Sequence, residues 1–321
     1  MENQRTDLTL FAERIEQLRR QIAQVIVGQQ ENIDLLLTAV LANGHVLIEG
    51  VPGVAKTLLA RLLARLIDAR FSRVQFTPDL MPSDVLGTTV FDVKTSEFHF
   101  HPGPVFSDLV LVDEINRAPA KTQAALFEVM EERQVTIDGE THRMGDIYTI
   151  LATQNPVEQE GTYKLPEAQT DRFLMKITMG YPTLDEEVSI LERHHANRSL
   201  VKLEDIQPVI TRQQLADFRS LQNSVFVEPS LLRYIAEIVQ QTRQSKVVFL
   251  GASPRAAVAM LNASKAYALL QGRDFVTPDD IQFVTPSILQ HRLILTAEAE
   301  MEGHTPFKVA RRLMERVEVP K

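Results

Sequence analysis

The stretch that decides the fold is GVPGVAKT at residues 50–57, which lies between two segments of different character. An apolar run, HVLIE at residues 45–49, precedes it, and a helix-forming run, LLARLLARL at residues 58–66, follows it. A strand, a glycine-rich loop and a helix in this order are typical of a phosphate-binding P-loop. Gly50 and Gly53 allow the backbone N–H groups of the loop to converge on phosphate oxygens, at the positive end of the helix dipole.

The residues at the end of the loop indicate which phosphate chemistry it serves. Lys56 is suited to reach the β- and γ-phosphates of a nucleotide, and Thr57 is suited to ligate Mg²⁺ through its hydroxyl. The pattern departs from the usual one at Ala55, because a glycine normally precedes the lysine. Alanine is a good helix former, so we expect it to be tolerated if residue 55 already belongs to the helix. The candidate nucleotide-binding residues of the loop are Gly50, Val51, Pro52, Gly53, Val54, Ala55, Lys56, Thr57 and Leu58.

The composition of the 321-residue chain excludes several classes of site and of protein. It contains no cysteine, which excludes a disulfide scaffold, a thiol nucleophile and a cysteine-based zinc site. Its formal net charge of −8 argues against sequence-independent binding of duplex nucleic acid, which needs a basic surface. Residues 1–9 are polar and charged, unlike a signal peptide, and no apolar run approaches the roughly 20 residues needed to span a bilayer. We therefore expect a cytoplasmic protein without a membrane span.

A second apolar segment ends in two carboxylates. Residues 109–112 (LVLV) are followed directly by Asp113 and Glu114. Functional groups in parallel sheets gather at the carboxyl ends of the strands, so we expect this pair to share one crevice with the P-loop. Asp113 is suited to hold the Mg²⁺ shell, and Glu114 is suited to activate a water for in-line attack on the γ-phosphate. Acidic residues often cap helices, but their combination with a P-loop favours the catalytic interpretation.

Three further polar residues fit around a nucleotide. Asn155 follows an apolar run at residues 148–152, and its amide is suited to position the attacking water and sense the γ-phosphate. Arg172 precedes another such run, residues 173–177, and is suited to neutralise transition-state charge. Arg255 lies in the first turn of a predicted helix, where a cation is unfavourable unless it faces an anion. An ordinary Asn-Pro turn and a surface ion pair are the alternative interpretations of Asn155 and Arg172.

The distribution of strand-like and helical segments predicts an α/β fold with two domains. Short apolar runs alternate with helical segments in the first part of the chain, at residues 45–49, 72–76, 109–112, 148–152 and 173–177. This alternation favours a mainly parallel sheet covered on both faces. Residues 89–101 and 134–143 interrupt this alternation, and each is typical of an inserted β-hairpin. From residue 183 onward, helical periodicity dominates. We predict a nucleotide-binding αβα core over residues 1–181 and an all-helical C-terminal domain over residues 182–321.

Together these segments resemble the AAA+ ATPases, and specifically the MoxR family, over nearly the whole chain. Val27 and Gly28 lie in a segment similar to the one that contacts adenine, and the two hairpins match the helix-2 insert and the hairpin before sensor 1 in position. In this family an alanine before the P-loop lysine is an accepted form. The motifs that carry the resemblance are Walker A at residues 50–57, Walker B at 112–119 (VDEINRAP), sensor 1 at 152–156 (ATQNP), the arginine-finger segment at 166–173 (PEAQTDRF) and sensor 2 at 251–255 (GASPR).

The resemblance implies more than the residues alone indicate. It implies a five-stranded αβα core with a helical lid domain, and ATP and Mg²⁺ as cofactors. It also implies a ring-shaped homo-oligomer, expected to be a hexamer, with ATP at the subunit interfaces. Arg172 would then act on the nucleotide of the neighbouring subunit, and Arg255 on the nucleotide of its own subunit. The implied function is ATP-driven, chaperone-like remodelling or maturation of client proteins, with partners that carry a von Willebrand factor A domain.

Three other functions are compatible with the motifs. The motor subunit of a magnesium-chelatase-like complex is a close structural relative, although nothing in this chain identifies a tetrapyrrole-pathway partner. A nucleotide-dependent scaffold is disfavoured by the complete catalytic set. A nucleic-acid remodeller would need a basic groove with stacking aromatics. The hairpins instead carry charges of both signs, on Lys94, Arg133 and Arg143 and on Asp92, Glu97, Asp138 and Glu140.

Overall fold

The computed structural model describes residues 8–156, 163, 165–195 and 203–320. Its strands are, in chain order, β1 Val46–Gly50, β2 Phe71–Gln75, β3 Gly87–Asp92, β4 Glu97–Pro102, β5 Leu109–Asp113, β6 Gln134–Ile137, β7 Glu140–Arg143, β8 Thr149–Gln154, β9 Met175–Met179, β10 Val248–Leu250 and β11 Ile294–Leu295. Five of them form one parallel sheet in the order β2, β5, β8, β1, β9. The predicted parallel sheet is therefore confirmed, and each of its strands overlaps a predicted apolar run.

The helices cover this sheet and build the C-terminal region. In chain order they are α1 Thr9–Val25, α2 Gln30–Leu41, α3 Lys56–Leu66, α4 Pro82–Leu86, α5 Ala120–Glu132, α6 Glu167–Thr170, α7 Leu184–His195, α8 Arg212–Ser220, α9 Pro229–Gln244, α10 Pro254–Leu270, α11 Pro278–Leu289, α12 Ala297–Met301 and α13 Pro306–Met314. Residues that alternate along a strand contact different apolar layers. In β1, Val46 and Ile48 pack with α1, α2 and α3, whereas Leu47 packs with α5. This is the three-layer αβα arrangement expected of a buried parallel sheet.

Two antiparallel hairpins, β3–β4 and β6–β7, project from the sheet domain where the sequence predicted them. The turn of the second contains Asp138 and Gly139, both with positive φ, as a tight two-residue hairpin turn requires. The two hairpins also contact each other, because the rings of Phe100 and His142 stack with their centroids 4.2 Å apart. Phe98, on the first hairpin, remains 72% exposed.

The C-terminal region is built from helices, as predicted, with one addition. β10 and β11 form a short antiparallel pair that the sequence did not reveal, because strands of three and two residues carry no measurable periodicity. The region packs on the sheet domain through α10, whose Ala263 and Leu270 share one apolar cluster with Leu35 and Leu36 of α2. In the described ranges, no helix combines the length and the apolar character needed to cross a membrane.

Candidate active site

The P-loop connects the end of β1 to the start of α3, and its backbone explains both glycines. A Cβ on Gly50 would lie 2.7 Å from the carbonyl oxygen of Met179, and Gly53 has a φ of +88°. Ala55 precedes α3 with φ 62° and ψ 22°, in the left-handed region. Residue 55 therefore lies outside the helix, and the condition under which alanine was expected to be tolerated is not met. This backbone conformation favours glycine, and an alanine in it costs about 1 kcal/mol.

A cleft of about 390 Å³ opens beside the P-loop, and most of the predicted site residues line it. The carboxyl ends of β1, β2, β5 and β8 meet there, as expected of a parallel sheet. Gly50, Val51 and Val54 belong to the loop but do not line the cleft. The lining residues are Pro52, Gly53, Ala55, Lys56, Thr57, Leu58, Arg73, Gln75, Asp113, Glu114, Thr153 and Asn155.

The polar side chains of the loop and of β5 form a donor set that suits Mg²⁺. Thr57 contributes a hydroxyl and Asp113 a buried carboxylate, and hard oxygen ligands of this kind are those that Mg²⁺ prefers beside phosphate oxygens. Asp113 is oriented through both of its oxygens. Its Oδ1 accepts a hydrogen bond from Thr153 Oγ1 at 3.1 Å, and its Oδ2 accepts one from Arg73 Nε at 2.6 Å. Lys56 Nζ donates to the carbonyl oxygen of Gly50 at 2.5 Å, which holds its ammonium against the loop.

Glu114 is held at the wall of the cleft by groups from three segments. Its Oε2 accepts a hydrogen bond from Gln75 Nε2 at 2.8 Å and lies 3.0 Å from Arg117 Nε. Its backbone N–H donates to Thr153 Oγ1 at 3.0 Å, and Asn155 lines the same cleft. A carboxylate and an amide that line one cleft beside a P-loop are able to deprotonate and orient a water.

Three residues of this cleft were missed at the level of sequence. Arg73 and Gln75 alternate along β2, opposite Leu111 and Asp113 in the strand pairing. Two polar residues in an apolar strand are a common surface pattern, so only the pairing with β5 reveals their partners. Thr153 was within reach of prediction, because it lies in the polar segment that carries Asn155.

Arg172 lies near the amino ends of the strands, at the side of the sheet opposite to the P-loop, which we call the amino edge. Its segment enters β9, which begins with Met175 opposite Val46, and the N–H of Leu174 donates to the carbonyl oxygen of His45 at 2.8 Å. Arg172 is therefore near the amino end of β1, whereas the P-loop leaves the carboxyl end. A strand of five residues separates these ends by about 16 Å.

Arg255 lies beside Arg172, and both contact one carboxylate. Arg255 Nη2 is 3.0 Å from Glu131 Oε1, and Arg172 Nε is 3.2 Å from Glu131 Oε2. Glu131 is near the end of α5, whose Met130 carbonyl oxygen is 3.2 Å from Nε2 of His45 at the same edge of the sheet. The structure thus unites the two predicted arginines but does not bring either to the cleft. Arg255 therefore lies away from the cleft of its own subunit, where the resemblance implied that it acts.

The predicted adenine-contacting segment is tightly packed. Gly28 has a φ of +67°, and a Cβ added there would overlap the side chain of Glu186 in α7. The contact of Val27 and Gly28 with adenine remains a prediction. A larger cavity of about 740 Å³ lies nearby between α2, β9 and α13, next to the ion pair of Glu49 and Lys176 at 2.8 Å. None of the predicted site residues lines it.

Comparisons with known proteins agree with this architecture. A family model described as "ATPase family associated with various cellular activities (AAA)" matches residues 45–175, and one described as "AAA lid domain" matches residues 240–313. The protein YeaC of Bacillus subtilis is 48% identical over 93% of this chain and 92% of its own length. The chaperone MoxR1 of Mycobacterium tuberculosis is 42% identical over 94% of this chain and 81% of its own length.

A solved structure gives the same result for the fold. The crystal structure of a protein from Cytophaga hutchinsonii, proposed there to be an ATPase, superimposes with a TM-score of 0.89 at 40% identity, over 98% of this chain and 97% of that one. The fold and the cleft define an AAA+ ATPase, with an αβα core followed by a helical lid domain. Among these proteins, the chain belongs to the MoxR family.

Proposed function

We propose that this protein hydrolyses ATP with Mg²⁺ and uses the released energy to remodel or mature partner proteins. The observation that carries the proposal is the convergence of Lys56, Thr57, Asp113, Glu114 and Asn155 on one cleft at the carboxyl edge of the sheet. Membership of the MoxR family supports it, since one relative, MoxR1, is described as a chaperone.

The residues of the cleft divide the chemistry between them. Lys56 and the P-loop N–H groups bind the phosphates, and Glu114 takes the proton of a water that Asn155 orients. Thr57 and Asp113 would hold the magnesium ion, which neutralises charge that develops on the phosphate oxygens. Gln75 and Arg117 limit the movement of the Glu114 carboxylate, so that it faces the attacking water at little further entropic cost.

The active site becomes complete only between two copies of the chain. Arg172 and Arg255 lie together at the edge of the sheet remote from their own cleft. We propose that the copies form a ring in which both arginines of one subunit face the nucleotide of the next. Head-to-tail contacts close into a ring when the rotation between neighbouring copies closes the circle, and a hexamer remains the proposed size. In the isolated chain, the Glu131 carboxylate then contacts both arginines in place of the phosphate that the neighbouring subunit would supply.

The hairpins favour a protein client over a nucleic acid. Phe91 and Phe98 pack against each other with ring centroids 5.0 Å apart, and both stay substantially exposed. The charges around them are of both signs, so the surface lacks the basic groove of a single-strand binding site. A client protein, and a partner with a von Willebrand factor A domain, remain the proposed partners. The cytoplasm remains the proposed location.

The proposal is tested by measuring Mg²⁺-dependent ATP hydrolysis over a series of protein concentrations. Specific activity is expected to rise with concentration and to fall about 10³-fold or more in Arg172→Ala, because that arginine is supplied to a neighbour. Arg233→Ala, which removes an exposed arginine of α9, is the matched control and is expected to keep full activity. Hydrolysis that depends on neither concentration nor Arg172 would refute the ring mechanism.

A further inference from the structure

The segment that carries Arg172 is held by a buried arginine from the lid domain. Arg292 follows α11, and only 4% of its side chain is exposed. Its Nε donates a hydrogen bond to Asp171 Oδ1 at 2.6 Å. This contact is an ion pair with the residue that directly precedes Arg172 in the chain. Burial lowers the pKa of Arg292, and the Asp171 carboxylate opposes that shift. The lid and the core are therefore joined by a desolvated ion pair at the amino edge of the sheet.

Every N–H group of the Arg292 guanidinium is used. Besides the bond from Nε, Nη1 donates to the carbonyl oxygens of Leu174 and Ile288 at 3.0 and 2.6 Å. Nη2 donates to the carbonyl oxygens of Asp171 and Phe173 at 3.0 and 2.6 Å. A guanidinium has five such donors, and four of the five acceptors here belong to residues 171–174. This planar set of donors therefore fixes the backbone on both sides of Arg172.

The same cluster reaches the start of α10. The second oxygen of Asp171, Oδ2, accepts a hydrogen bond from Ser253 Oγ at 3.3 Å. Ser253 is the residue before α10, and Arg255 is the second residue of that helix. Asp171 and Ser253 thus form an inner contact, while their neighbours Arg172 and Arg255 form an outer pair on Glu131.

Stability alone is a poor explanation for this ion pair. A buried pair often contributes little net stability, because the loss of hydration offsets the attraction between its charges. Because all five N–H donors of Arg292 are used, their directions instead restrict where residues 171–174 can lie relative to the lid. An arginine that must reach a phosphate in another subunit benefits from such restriction, since a misplacement of about 1 Å costs roughly 10²-fold in rate.

We propose that Arg292 and Asp171 are positioning residues, which hold Arg172 and Arg255 as one two-arginine unit for the nucleotide of the neighbouring copy. Neither touches the nucleotide itself. The lid domain then cannot move without moving the amino edge of the sheet. A movement of the lid in one subunit therefore alters hydrolysis in the neighbouring subunit. This inference rests on the proposed function, in which hydrolysis depends on Arg172.

The test is a double-mutant cycle on hydrolysis. Asp171→Asn keeps the shape of the side chain but removes the charge that binds Arg292. We expect it to lower kcat about tenfold or more, with the KM for ATP unchanged, because the P-loop cleft is intact. In the Arg172→Ala background the same change is expected to have a clearly smaller effect, because most of it acts through Arg172 and the remainder through Arg255.

Two other variants separate positioning from a general loss of stability. Asp280→Asn breaks a comparable buried ion pair, with Arg273, which makes no contact with residues 171–174. It is expected to lower the Tm but leave kcat of the folded protein unchanged. Ser253→Ala removes only one long hydrogen bond, and we expect it to lower kcat about threefold with little change in Tm. It decides the question if Asp171→Asn fails to fold.

The possible outcomes are distinct. A folded Asp171→Asn with wild-type kcat, a raised KM, or an effect that is undiminished in the Arg172→Ala background would overturn the positioning role. If Asp171→Asn does not fold, a wild-type kcat in Ser253→Ala would do the same. A wild-type protein whose hydrolysis does not depend on concentration or on Arg172 would instead overturn the proposed function, and this inference with it.

Discussion

The two edges of the central sheet carry the two halves of the proposed active site, and they are built differently. At the carboxyl edge, Asp113, Glu114 and Asn155 lie within a residue or two of a strand end, so the parallel sheet alone gathers them beside the P-loop. At the amino edge, Arg172 and Arg255 come from the core and the lid and meet only on Glu131. A nucleotide cleft therefore follows from the order of the strands, whereas the arginine pair depends on domain packing.

The largest expected effect concerns the carboxyl edge. Glu114→Gln should lower ATP hydrolysis by about 10³-fold, because the amide cannot accept the proton of the attacking water. Nucleotide affinity should be retained, since the phosphates contact the P-loop rather than Glu114. Single-turnover hydrolysis and the binding of a fluorescent ATP analogue measure the two quantities. Wild-type turnover in a pure preparation of this variant would disprove the role of Glu114 as base.

The second prediction separates the two edges by mixing subunits. Lys56→Ala subunits lack the phosphate-binding lysine of the cleft, and Arg255→Ala subunits lack one arginine of the pair. If Arg255 acts on the neighbour, an equimolar mixture should regain activity at about a quarter of the interfaces of a head-to-tail ring. If it acts within its own subunit, no interface is complete and the mixture stays inactive. Mixing Lys56→Ala with Arg172→Ala serves as the parallel measurement for the finger.

The smallest effect concerns the stability of the amino edge. His45 is buried there, accepting a hydrogen bond from the N–H of Ile150 at Nδ1, 2.9 Å away, and facing the carbonyl oxygen of Met130 with Nε2. Burial, together with the nearby charge of Arg133, lowers the pKa of His45 from 6.5 to about 3. His45 therefore stays neutral in the folded state, while in the unfolded chain it takes up a proton as the pH falls below 6.5.

Because its pKa is lowered in the folded state, His45 makes the protein less stable at acid pH. The contribution of His45 is fully present above pH 6.5 and is lost as the pH falls toward 3, which amounts to about 2 kcal/mol between pH 7 and pH 5. His45→Gln keeps a donor and an acceptor without a titrating group. Urea unfolding at both pH values should show a smaller loss of stability in this variant than in wild type. Equal losses would contradict the assignment of a neutral, buried His45.

Much of the fold followed from sequence because its signals are local. Apolar runs predicted all five strands of the sheet, and turn residues predicted both hairpins. The predicted division near residue 181 falls between the end of β9 and the start of α7, and the domain limits themselves stay a prediction. The pair β10–β11 was missed, because two very short strands leave no pattern to detect.

The sequence by itself determined the P-loop, the carboxylates at the end of β5 and the parallel order that brings them together, because each depends on neighbours in the chain and on one rule of sheet geometry. Only the tertiary structure decided the left-handed backbone of Ala55, the contact of Arg73 with Asp113, and the place of Arg255. These depend on which distant segments meet, and spacing along a chain does not encode the direction in which a packed domain faces. The five hydrogen bonds of Arg292 show this most clearly, since nothing around that residue in the sequence distinguishes it from a surface arginine.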